Sequence, residues 1–178
     1  MKWMRTLRFK LSAVLLLFGA TLISYGFVRH QRQFIEAQRQ RLLAKALAEA
    51  TRLAGVGQHL FRLGLVRTMD LEVSYLAADE RLRLGLICDG DAIVKSATEQ
   101  RWRGLEMSKT PLAHLLDIFA KTQATKQGTV IADEHAIIAV FPFLPWPAAT
   151  KSGAVVLDYA WEDVRQDAQA SAISEAVP

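Results

Sequence analysis

Two kinds of hydrophobic pattern divide this chain. Leu11 to Val28 is apolar on every side and contains no Asp, Glu, Lys, Arg or His. As a helix those residues rise about 27 Å, close to the roughly 30 Å hydrocarbon core of a bilayer. A cleaved secretory signal would have a shorter apolar stretch leading to a small-residue cleavage site. Here the exit runs Tyr25, Gly26, Phe27, Val28, Arg29, so the stretch reads as an uncleaved transmembrane anchor. From Arg29 to Arg62 the pattern becomes one-sided. Leu43, Ala46, Leu47, Ala50, Leu53, Ala54, Leu60 and Phe61 fall three or four residues apart, and good helix formers fill the gaps. A long amphipathic helix is predicted, continuous with the anchor. It either packs on its own domain or forms a membrane-proximal coiled coil with a second copy, through Leu43, Leu47, Ala50 and Leu53.

Beyond it the pattern alternates between the two periods of regular structure. A helix is predicted from Thr68 to Ala78, capped by Thr68, with Leu71, Tyr75 and Leu76 turned inward. Leu82, Leu84, Leu86 and Cys88 then alternate to one face of a strand, Asp89-Gly90-Asp91 supplies a hairpin turn, and Ala92–Ala97 returns. A loop through Arg101-Trp102-Arg103-Gly104 leads to a helix from Thr110 to Gln123. Thr110 caps it before Pro111, and Leu112, Leu115, Leu116 and Phe119 form its buried stripe. Strands follow at 128–132, 135–143 and 153–159, then a helix from Trp161 to about Ile173. The predicted fold is α+β: a transmembrane helix continuing into a long helix, then a five-stranded, mainly antiparallel sheet flanked by helices. The corresponding segments are a tail at 1–10, the span at 11–28, the long helix at 29–62, a domain at 63–165 and a C-terminal helix and tail at 166–178. Ile137, Ala139, Phe141 and Phe143 share one strand face while Ile138 and Val140 share the other, so both sides of the sheet must be covered.

A basic composition suggests nucleic acid until the charge is located. Residues 1–45 hold nine Lys or Arg against Glu36 alone, and the rest of the 178-residue chain holds 13 basic and 17 acidic residues. The basic groups flank the span, where they meet lipid headgroups, and the domain is mildly acidic, which argues against nucleic-acid binding. Four Lys or Arg precede the span and four follow it closely, so charge alone leaves the orientation tied. The single cysteine, Cys88, excludes an intrachain disulfide and reads as a buried core thiol.

The residues assemble no catalytic motif. There is no Gly-rich phosphate loop, H-E-x-x-H, C-x-x-C or G-x-S-x-G, and His30, His59, His114 and His135 are scattered. Asp133, Glu134 and His135 read as a solvated turn. The expectation is no enzyme, no metal and no cofactor. The loop around Trp102 and Arg103 offers a flat apolar wall beside a guanidinium able to hold a carboxylate. Phe141 lies in an aromatic strand end. Asp158 and Tyr159 end the last strand, where Tyr159 is a core residue able to reach a ligand. Trp102, Arg103, Phe141 and Tyr159 are therefore the candidate ligand-binding residues.

The stretch Leu76–Ala97, with Asp89-Gly90-Asp91 at its turn, resembles the helix, strand, hairpin and strand of extracytoplasmic PAS-like sensor domains of the Cache or PDC type. The Trp102-Arg103-Gly104 loop resembles the segment that often follows that hairpin, and Val140-Phe141-Pro142 and Ala154–Tyr159 resemble the final strands. The likeness covers about residues 10–165. It implies a membrane-anchored sensor input in a bacterial inner membrane, N-terminus cytoplasmic and domain periplasmic. The implied ligand is a small molecule, a carboxylate or an amino acid, and the implied assembly a homodimer through the N-terminal helix. Such proteins usually re-enter the membrane and end in a kinase, cyclase, phosphodiesterase or chemotaxis module. The 178 residues hold neither a second span nor that output module. The competing expectation is a bitopic scaffold protein of a secretion or pilus assembly, with a closed core and no pocket.

Overall fold

The computed structural model describes residues 2–144 and 150–162, with side chains from residue 14 onward. Helix α1 (Lys2–Arg62) is unbroken, as the absence of proline and the run of good helix formers predict. Residues Arg39–Arg165 form one compact unit, and residues up to Gln38 fall outside it. Within that unit α1 buries Leu42, Ala46, Ala50, Leu53 and Leu60, spaced to make one stripe. Ala50 and Leu53, expected in a contact between copies, are therefore spent on the domain's own core, whereas Leu47 is 47% exposed.

Among the described residues no helix is long and apolar enough to cross a membrane. The span expected at 11–28 begins with three residues whose side chains lie outside the described ones, and the structure gives that span no support. From Val14 to Ile23 the large apolar side chains of α1 are all more than half exposed.

Helix α2 (Val66–Leu76) turns back along α1 after a bend at Gly64, whose φ of 68° suits a residue without a side chain. Arg52 ties the two helices, 2.9 Å from Glu72 and 3.0 Å from Glu49, and Lys45 lies 2.7 Å from Asp79 just beyond α2. The inward face of α2 is Met69, Val73 and Leu76; Leu71 and Tyr75, expected inside, are 60% and 74% exposed. Nor does Thr68 cap this helix, which starts two residues earlier with Leu65 at the cap.

The sheet is built from β1 (Leu82–Cys88), β2 (Val94–Ala97), β3 (Thr129–Ala132), β4 (Ala136–Phe143) and β5 (Gly153–Ala160), all pairs antiparallel, in the order β2-β1-β5-β4-β3. The last strand is thus the central one. The hairpin turn needs no positive φ at Gly90. That conformation falls on Ala92 (φ 59°), while Gly90 is required because a Cβ there would meet Lys151 Cβ at 2.6 Å. The expected helix from Thr110 opens instead as 3-10 turns at Met107–Lys109 and Ala113–Leu115, and α3 (Leu116–Thr125) follows. Thr110 still accepts the amide of Leu112 at 3.2 Å. The helix expected from Trp161 lies, after Glu162, outside the described residues.

Candidate functional site

The two faces of the sheet are covered differently. Ile137, Ala139 and Phe143 of β4 and Val155, Leu157 and Tyr159 of β5 share the face toward α1, where the Phe61 and Phe143 rings lie 5.2 Å apart. The opposite face carries Leu84, Leu86, Cys88, Ala136, Ile138, Val140, Ala154 and Val156. Its cover is irregular: Met107, Leu112, Leu115 and Phe119 from the 3-10 turns, the turn between them and α3, with Trp102 at the side.

Asp158 stands on this second face, half-buried and two residues before the end of β5. It pairs across the sheet with Leu84 on β1 and Ile138 on β4, both members of the buried cluster. One of its carboxylate oxygens is buried with no hydrogen-bond partner among the described residues. Burial pushes its pKa above the ordinary carboxylate range, and Arg83 and His114 oppose that shift while Asp133 adds to it. A carboxylate oxygen held without a donor is an acceptor set in an apolar wall, suited to an ammonium, amide or hydroxyl. Two other polar atoms of the cover, Trp102 Nε1 and Thr122 Oγ1, are likewise buried without partners.

Trp102 belongs to a 3-10 turn (Gln100–Trp102) in a loop that runs back along the outer edge of β2. There Val94 donates to Leu105 O at 2.9 Å and Gly104 donates to Val94 O at 2.8 Å, so the loop satisfies an edge strand. Arg101 caps the indole from 4.7 Å, and the ring packs on the cluster. Arg103 points elsewhere: its guanidinium is 2.7 Å from Asp70 on α2, whose other oxygen accepts Ser96 Oγ at 2.7 Å. Phe141 packs over Gly128, where a Cβ would run into its ring, on the α1 face. Tyr159 is fully buried on that same face; its hydroxyl has no partner among the described residues, and burial raises its pKa, with Asp79 and Glu49 adding. The four expected ligand-binding residues are therefore not brought together. Trp102 borders the irregularly covered face, Phe141 and Tyr159 lie on the other, and Arg103 is engaged by Asp70.

A shallow cleft of about 150 Å³, lined by Gln58, Lys126, Pro142, Phe143, Leu144 and Ser152, opens at the far end of β4 and β5 from Asp158. Cys88 is a buried core thiol, its pKa pushed up to about 12 by burial and then by Asp89. Among the described residues no group of three or more His, Cys, Asp or Glu is placed to hold a metal ion. Sequence reasoning missed the pairing of Asp70 with Arg103, which no local pattern announces. It placed Asp158 at a strand end without a role, although a lone charge inside the apolar run Gly153–Ala160 was a usable signal.

No protein-family model matches the sequence, and no curated protein sequence matches it. Among solved structures the chain is similar to an extracellular ligand binding receptor from Desulfohalobium retbaense DSM5692, at TM-score 0.48 and 12% identity over 75% of this chain. The chain covers 25% of that receptor, and a likeness at this level carries no statement about function.

Proposed function

We propose that this chain is the small-ligand-binding input domain of a membrane-anchored bacterial sensor, PAS-like in fold. Asp158 carries the reading: a carboxylate on the central strand, on the irregularly covered face, with one oxygen buried and unpartnered among the described residues. Retaining such a group costs stability unless a donor complements it. A small molecule with an ammonium or comparable donor supplies that complement, which favours an amino acid over a simple carboxylate. The five-stranded antiparallel sheet, its first hairpin and the loop after it agree with the resemblance of Leu76–Ala97 and Trp102–Gly104. Anchoring through residues 11–28, with the domain periplasmic, is part of the proposal. It rests on the charge-free apolar run Leu11–Val28 of the sequence. No catalytic role is assigned, and a homodimer through α1 is proposed with Leu47 at the contact.

The test is a thermal-shift screen of the full chain in detergent against amino acids and small carboxylates. At least one amino acid should raise the melting temperature, and Asp158→Asn should weaken that ligand about ten- to a hundred-fold, the value of a charge-assisted hydrogen bond. The second reading, a membrane scaffold, is favoured by Arg103, which already has an internal partner in Asp70. No shift with any compound would put the scaffold reading first.

A further inference from the structure

The chain leaving β5 is fastened by one residue of the β3–β4 turn. Asp133 shapes that turn: its Oδ1 accepts the amides of His135 at 2.7 Å and Ala136 at 2.6 Å. His135 O then accepts the amides of Trp161 at 3.0 Å and Glu162 at 3.2 Å, the first two residues after β5. The same residue's Nδ1 lies 3.0 Å from Glu162 Oε2. Three contacts thus meet at His135, two of them backbone bonds and one able to change with protonation.

We propose that the His135–Glu162 pair is a pH-sensitive clasp on the segment that leaves the central strand. A protonated imidazole makes an ion pair with Glu162 and draws the exit onto the turn. A neutral one keeps at most a single uncharged donor, and the exit is held by the backbone bonds alone. The charged groups around the ring are Asp133 and Glu134 from its own turn, Glu162 from the exit of β5, and Arg83 of β1, which acts on Asp133. Asp133 in turn acts on Asp158 of β5, on which His114 also acts from the cover. Backbone hydrogen bonds hold the Asp133 carboxyl below the ordinary range, so the turn keeps its shape through the range in which an imidazole titrates. Trp161 is buried and its amide bonds to His135, so the clasp acts on a packed residue. The clasp stands on the chain's own geometry; only its use as an input rests on the sensor reading.

The test is amide exchange and histidine NMR on the full chain in detergent, at about pH 5.5 and about pH 7.5, with intrinsic exchange rates divided out. In the wild type the Glu162 and Trp161 amides should be about 2- to 5-fold better protected at the lower pH, the range an exposed ion pair supports. Their shifts should follow the titration of the His135 ring. Glu162→Gln and His135→Asn, both at accessible positions, should each remove the pH dependence and leave the fold intact. Equal protection at both pH values, or an unchanged dependence in Glu162→Gln, overturns the clasp. A ligand shift in the thermal screen is independent of either result, so failure of the clasp and failure of the sensor reading are separable.

Discussion

A carboxylate among leucines and isoleucines makes the sharpest residue-scale difference in this protein. Because burial raises the pKa of Asp158 in the folded state, its protonated form is the one the fold prefers. The stability that protonation brings is complete below the ordinary carboxylate value and is lost as the pH rises through the raised one. Asp158→Asn, neutral at every pH and close in shape, should therefore raise the unliganded melting temperature near neutrality. The gain should shrink toward acid. Melting curves of both proteins from about pH 4 to about pH 8 check this, and a difference that is constant across that range would refute it. Chemistry of this kind is only half legible from residues. Asp158 is visible as a charge in an apolar run, and Cys88 as a thiol in one. That Asp158 lies between Leu84 and Ile138 required the register of three strands.

At the scale of elements, α1 shows how one helix divides its surface. Leu53 is 1% exposed against the sheet, and Leu47 points away at 47%. Leu53→Asp should destabilise the domain by about 3 kcal/mol or more, because it loses burial and places an unpaired charge in the core. Leu47→Asp should leave the midpoint within about 0.5 kcal/mol and lower any self-association. Chemical denaturation together with sedimentation separates the two, and a large stability loss from Leu47→Asp would contradict the division. The strands were readable because alternation with period 2 leaves few choices, and β1, β4 and β5 fall within a residue of the predicted bounds. Helix α2 was harder. Leu71 and Tyr75 form as good an apolar stripe as Met69, Val73 and Leu76, and docking on α1 through Arg52 and Glu72 chooses between them. The segment after Thr110 has a cap and apolar spacing, but it closes over the sheet as 3-10 turns before α3 forms.

For the whole molecule, the proposed topology makes a direct prediction. A reporter active only outside the cytoplasm, fused after Val177, should work, and one active only in the cytoplasm should stay silent; the reverse would remove the sensor reading. The sequence alone determined the strands of the domain and its first helix. Its α+β class, the first hairpin, the unbroken helix to Arg62 and the need to cover both sheet faces all follow from local periodicity and composition. Only the tertiary structure decided the order β2-β1-β5-β4-β3, which seats the last strand at the centre. An alternating strand presents the same two faces whichever neighbours it takes, so periodicity says nothing of partners. The same reason holds for the site. Trp102, Arg103, Phe141 and Tyr159 each carry a fitting chemistry in the sequence. Strand parity sends Phe141 and Tyr159 to the α1 face, and the charge of Asp70 draws Arg103 to α2, leaving Asp158 on the face that the loops cover.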